Sequence, residues 1–114
     1  MMKQVEPTVV RTEQDGDSYR LSLEIPGGLD FFKGHFTDAP ILPGVVQLHW
    51  AVLFAGRCLG QKIEPKQVSN LKFKQLILPD TRVLLQLTHQ AEKGQIRFSF
   101  LSALGENSSG VIRL

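Results

Sequence analysis

His35 is the residue best placed to do chemistry. It stands in Gly34-His35-Phe36, eight positions before Pro43 and fourteen before His49. Gly34 allows backbone to come close, and Pro40 and Pro43 stiffen the connection that follows. Pro43 suits the first turn of a helix, where its missing N–H matters little. A helix starting at Pro43-Gly44 leaves the amides of Gly44 and Val45 unpaired, with the positive end of the helix dipole behind them. Such donors can hold a carbonyl oxygen as negative charge builds on it. A base beside that site is what proton abstraction next to a thioester carbonyl requires. The plainer alternative is an ordinary loop histidine and a Pro-Gly pair that only starts a helix.

His49 lies within the same helix, with Val45, Val46, Val52 and Leu53 three and four residues away. That periodicity reads it as a buried histidine satisfied by one hydrogen bond; the other reading is a polar group facing a pocket. Trp50 beside it lines a pocket or packs in the core. Cys58 has no His or acid close in sequence and reads as an inert buried thiol. His89, between Thr88 and Gln90, is expected at the surface. His35, His49 and His89 have no metal-ligand spacing, and the chain has no CxxC, HExxH, GxGxxG or P-loop. Neither a metal nor a nucleotide cofactor is expected.

The elements that must position these residues can be read from alternation. Val9–Glu13 suggests a short strand and Asp15-Gly16-Asp17 a turn. In Tyr19–Ile25, Tyr19, Leu21, Leu23 and Ile25 share one face, opposite Arg20, Ser22 and Glu24, which predicts a half-buried strand. Residues 29–43, LDFFKGHFTDAPILP, form an irregular aromatic loop, either a plug for the core or the floor of a site. The helix is expected from Pro43 to Cys58 or Leu59, with Gly60 as its cap. It is apolar nearly all round and so expected to be buried on most sides. Strands follow at Leu71–Leu76, Val83–His89 and Gln95–Leu101, then a loop over Gly105–Gly110 and a short last strand at Val111–Leu114. The fold class is α+β: an antiparallel sheet of five to six strands wrapped around one long central helix.

Composition narrows the functional classes. At 114 residues the chain is one domain, residues 1–114. Lys and Arg number 13 against 11 Asp and Glu, a net charge of +2. The basic residues are scattered, which argues against nucleic acid and leaves a weak bias towards an acidic protein partner. A single Cys excludes an internal disulfide. There is no apolar run of the roughly 18 residues that would span a bilayer, and MMKQVEPTVV lacks the apolar core of a signal peptide. A reduced cytoplasmic setting is expected, without membrane attachment. So small a domain buries little of its own surface, which favours self-association.

Residues 30–48, DFFKGHFTDAPILPGVVQL, resemble the active-site segment of hotdog-fold 3-hydroxyacyl-(acyl-carrier-protein) dehydratases, which reads roughly F-F-x-G-H-F-P-x-x-P-x-x-P-G-V-x-Q. The order strand, loop, long helix, strands extends the likeness over nearly the whole chain. The short length and Gln47-Leu48-x-Trp50 are most similar to the small dehydratases of aryl-polyene-type pathways. The resemblance implies a hotdog fold and a homodimer, or a higher oligomer built from it, whose paired catalytic residues come from opposite subunits. It implies His35 as the base that removes the α-proton, and the Gly44 amide as the donor that polarises the thioester carbonyl. Phe32, Phe36, Pro43, Val45 and Trp50 would then line the substrate site.

Three departures from the pattern stand out. The family's Glu or Asp, fourteen positions after the histidine, is His49 here. Thr37 replaces the Pro after His-Phe, and Pro79-Asp80-Thr81 lacks the Gly usual in the matching turn. The resemblance implies dehydration of a 3-hydroxyacyl chain carried on a phosphopantetheine thioester, in fatty-acid or aryl-polyene-type biosynthesis, with no separate cofactor. Asp38, in the loop beside His35, is a second possible proton source. The alternatives are a hotdog thioesterase and a catalytically impaired module that binds acyl groups or the carrier. Acyl carrier proteins are acidic, so Lys33, Arg57, Lys62 and Lys66 are expected to dock one.

Overall fold

The computed structural model describes residues 6–26 and 42–114. His35, Phe32, Phe36, Lys33, Thr37 and Asp38 lie outside the described residues. The elements are β1 (Thr8–Asp15), β2 (Ser18–Ile25), α1 (Gly44–Leu59), β3 (Gln67–Phe73), β4 (Thr81–Gln90), β5 (Gln95–Ser102) and β6 (Gly105–Arg113). The six strands form one antiparallel sheet in the order β1-β2-β4-β5-β6-β3, so β1 and β3 are its edges.

Alternation explains the central strands. Leu21, Leu23 and Ile25 of β2 are buried, as are Val83, Leu85 and Leu87 of β4 and Ile96, Phe98 and Phe100 of β5. Register stacks them in rows. Leu21 faces Leu85, Leu85 faces Phe100, and Phe100 faces Ser108. A second row runs from Tyr19 through Leu87 and Phe98 to Gly110. The rings of Phe98 and Phe100 meet edge to face, 6.2 Å apart. Against this surface α1 lays Val46, Trp50, Ala51, Phe54 and Ala55, all in the same core. Burying each large side chain contributes roughly 1.5–3 kcal/mol.

The Gly105–Gly110 segment is not a loop. It is the first two-thirds of β6, and the chain reverses at Ala103-Leu104. Its small residues answer a packing need. A Cβ at Gly110 would come within 2.7 Å of Cε2 of Phe98 and 3.2 Å of Leu71. Ser108 lies between Phe100 and Phe73 and is fully buried. The large side chains of β5 leave no room for large ones beside them. β3 also ends sooner than expected, at Phe73, with a bulge between Ser69 and Lys72 where Asn70 takes φ 52°. Gln75 and Leu76 therefore lie beyond the strand.

The helix differs from expectation in two respects. Pro43 is its N-cap rather than a first-turn residue, with φ −60° and ψ 146°. A broad face is open: Val45 is 74% exposed, and His49 and Arg57 are exposed as well. Gly60 closes the helix at φ 69°, as its position suggested. Asp80, where the related turn carries Gly, occupies the left-handed region at φ 58°, one that Asp tolerates better than most residues. No helix among the described residues is long and apolar enough to cross a membrane.

Two predictions follow from the C-terminal end of α1. A Cβ at Gly56 would sit 2.7 Å from the backbone oxygen of Gln61, which cannot swing aside. Gly56→Ala should cost about 1–3 kcal/mol, seen as a lower thermal midpoint. Burial pushes the Cys58 thiol above its ordinary range, which reduces the thiolate fraction at any given pH. Iodoacetamide should alkylate Cys58 more slowly than free cysteine at pH 8; an equal rate would contradict the burial.

Candidate active site

The start of α1 carries the best-defined polar geometry. The amides of Val46 and Gln47 both donate to the Pro43 carbonyl, at 3.1 and 3.2 Å. Pro43 offers no side-chain cap. The amides of Gly44 and Val45 have no acceptor among the described residues, as the sequence implied. They project from the positive end of a 16-residue helix. Glycine suits this position, since any side chain would have to displace an aromatic ring. The ring of Phe73 lies over it, with Cζ 2.7 Å from where a Cβ would be. An edge-strand aromatic thus makes an apolar wall beside two free donors.

A run of hydrogen bonds holds this turn. The Leu42 amide donates to the Ile77 carbonyl at 2.8 Å, and Gln47 Nε2 donates to the Leu42 carbonyl at 3.2 Å. Asn107 Nδ2 donates to the Leu76 carbonyl at 3.3 Å. The Asn107 carbonyl accepts from the amides of Lys74 and Gln75 at 2.8 and 3.1 Å. Gln47 and Asn107 are buried, yet among the described residues Gln47 Oε1 and Asn107 Oδ1 have no partner, and neither has Ser108 Oγ. An orphaned buried acceptor costs about 1–3 kcal/mol.

His49 is exposed, contrary to the buried histidine that periodicity suggested. Three of its four valine and leucine neighbours lie on the open flank of α1 with it, Val52 and Leu53 half-buried and Val45 bare, while Val46 turns into the core. His49 borders a groove of about 460 Å³, with Val52, Leu53, Gly56 and Ile63 as its apolar lining. His49 follows Gly44 by five steps along the helix, an advance of about 7.5 Å and a rotation that leaves them about 140° apart. Within one subunit the two look to different sides.

Other expected site residues fall elsewhere. Trp50 is wholly buried in the core, so it packs the helix rather than lining an open pocket. Pro43 is half-buried at the site itself. His89 is half-buried rather than on the surface, beside Tyr19, Cys58, Leu59 and Ile96. Arg57 is engaged: both its terminal nitrogens bind the Glu6 carboxylate, at 2.9 and 3.1 Å, and its guanidinium lies 5.3 Å from the Phe54 ring centre. It stands about 20 Å along the helix from Gly44, and Lys62 and Lys66 lie beyond it. Sequence reasoning missed Lys72 and Lys74, which flank Phe73 in sequence. With Arg97 and Glu106 they border a cleft of about 630 Å³, and Lys74 is 3.8 Å from Glu106. Their alternation with Phe73 was the available signal. No group of three or more His, Cys, Asp or Glu among the described residues could hold a metal ion.

Comparison with known proteins places this architecture. A structure titled as the dehydratase heterocomplex ApeI:P from Xenorhabdus doucetiae matches at TM-score 0.88 and 27% identity, over 95% of this chain and 96% of that one. An uncharacterized protein from Erwinia carotovora subsp. atroseptica matches at TM-score 0.82 and 32% identity, over 95% and 94%. A 3-hydroxyacyl-(acyl-carrier-protein) dehydratase, FabZ, of Allorhizobium ampelinum is 26% identical over 90 residues. That alignment takes in 72% of this chain but only 58% of the relative, so the chain spans little more than half the length of such relatives. The sheet wrapped on one helix is the hotdog fold of these neighbours. The model of the ApeI-like dehydratases matches residues 11–111, nearly the whole of the sheet and all of α1, and the chain belongs to that family.

Proposed function

We propose that the chain is a subunit of a 3-hydroxyacyl-thioester dehydratase acting on carrier-bound acyl chains, in fatty-acid or aryl-polyene-type biosynthesis. The observation that carries this is the pair of unpaired amides at Gly44 and Val45 beside an apolar wall, at the offset from Gly34-His35-Phe36 that the family motif sets. In this reading the His35 imidazole takes the α-proton of the substrate. The electron pair moves towards the thioester carbonyl, whose oxygen the Gly44 N–H stabilises. The Cα–Cβ double bond then forms as the Cβ–O bond breaks, and the departing hydroxyl takes up a proton and leaves as water. The product is a trans-2-enoyl thioester. His49 orients or protonates the hydroxyl.

The site is completed by a second subunit. Val45, Leu71, Phe73, Leu76 and Leu78 are large apolar residues left bare, at 41–74% exposure, on the helix start, on edge strand β3 and just beyond it. An unpaired strand edge with apolar neighbours is a surface made for pairing. A second copy covering it would bring its own α1 alongside. That supports a homodimer in which His35 of one subunit works with His49 of the other. A second reading has its own support: His49 stands where related chains carry an acid, and the Xenorhabdus neighbour is titled a heterocomplex. A non-identical, acid-bearing partner would then supply the carboxylate to His35.

Dehydration of carrier-bound 3-hydroxyacyl substrates tests the proposal. His35→Ala should reduce turnover by at least about 10²-fold while the fold remains intact; unchanged turnover would remove His35 from its role. His49→Asp restores the family's acid and should raise the activity of the homodimer. No rise, with the wild type already active, would show that His49 serves as it stands. Hydrolysis of acyl-CoA without dehydration would instead indicate a thioesterase.

Carrier docking is proposed at Lys72 and Lys74, the cations that flank Phe73 in sequence and line a cleft with Arg97 on the face of the sheet turned away from α1, in place of the Arg57 end of the helix. Reversing both charges should raise KM for a carrier-bound substrate and flatten its salt dependence, leaving small thioester substrates unaffected. Equal KM values would dismiss the pair.

A further inference from the structure

We infer that Gln47 and Asn107 are positioning residues that hold the Gly44 amide in place for the reaction; this rests on the dehydratase reading above. The argument begins with connectivity. Asn107, on β6, fixes the carbonyl of Leu76 through its side chain and the amides of Lys74 and Gln75 through its backbone. The next carbonyl along, that of Ile77, receives the amide of Leu42. The carbonyl of Leu42 in turn receives the side chain of Gln47, from the first turn of α1. A run of hydrogen bonds, joined through the Leu76–Ile77 peptide link, thus passes from the sheet, through the segment after β3, to the residue two places before Gly44. It clamps the turn from both sides, with the sheet below and the helix above.

The two side chains are used in the same unusual way. Each is almost wholly buried, 3% exposed for Gln47 and 2% for Asn107. Each gives its amide N–H to a backbone carbonyl, and each leaves its own side-chain oxygen without a partner. An apolar side chain of similar size would bury no orphan oxygen. Retaining the amides therefore gains geometry more than stability. The geometry in question is the direction of the Gly44 N–H, and an oxyanion donor works only when aimed at the place where charge develops. Pro43 contributes no side-chain cap, so the orientation of this turn depends on neighbours.

The test uses the full chain in its active assembly, with variants Gln47→Met and Asn107→Leu; Asn107→Ala stands in if the leucine variant does not fold. Ser108→Ala is the control, since Ser108 also buries an unpartnered oxygen but lies outside this run. Steady-state kinetics on a carrier-bound 3-hydroxyacyl substrate are read together with the ¹⁵N order parameter of the Gly44 amide. A braced amide should show about 0.85 in the wild type and in Ser108→Ala, falling below about 0.6 in the other variants. Their kcat should fall about tenfold or more with KM within about twofold. An unchanged order parameter overturns the inference. So does an unchanged kcat in a folded variant, or an equal loss in Ser108→Ala. If the wild type shows no dehydration at all, the dehydratase reading fails by itself. The order parameter then decides the bracing alone: a fall upholds it and an unchanged value ends it.

Discussion

The contact between the Phe73 ring and the backbone at Gly44 is the constraint on which the rest of the site depends. It favours glycine as the first helical residue, because a Cβ there would displace the tip of the ring. It ties the start of the helix to an edge strand, so that a movement of one is felt by the other. It also sets an aromatic ring beside the Gly44 and Val45 amides, a neighbour without a strong acceptor to compete with a substrate oxygen for their hydrogen bonds. A polar side chain in the same place would occupy the donors and remove the site.

Two kinds of burial support that contact. The stripe Val46, Trp50, Ala51, Phe54 and Ala55 holds the helix on the sheet by area alone, without direction. The amide run through Asn107, Leu76, Ile77, Leu42 and Gln47 supplies direction with little area. Packing sets where the helix lies, and hydrogen bonds set how its first turn is aimed. The sheet accommodates the arrangement by narrowing on β6, where Ser108 and Gly110 give way to Phe98 and Phe100.

Much of this was legible in the residues. The alternation of Tyr19–Ile25 and Val83–His89 marked two central strands, because a sheet with one buried face must alternate. Gly60 marked the end of the helix through its left-handed conformation, and the Gly44 offset marked the unpaired amides. What escaped reading did so for physical reasons. Gly105–Gly110 has the composition of a loop, yet its small residues are set by rings on the neighbouring strand, which no local window contains. The exposure of His49 was hidden because its apolar neighbours signal burial equally well against the chain's own core or against another subunit. Lys72 and Lys74 came together with Arg97 and Glu106 only through the sheet order, which sets β3 beside β6.

The two edges of the sheet are unlike. On β1 every residue is exposed, but the strand is bulged between Val9 and Arg11 and carries the mutual pair Arg11 and Glu13, 3.2 Å apart. Such an edge resists a passing strand. On β3 the edge adjoins bare leucines and a phenylalanine. The two margins thus offer a passing strand different receptions: the β1 edge is bent and charged around its bare Val9 and Val10, and the β3 edge is straight onto its apolar neighbours only beyond the bulge at Asn70.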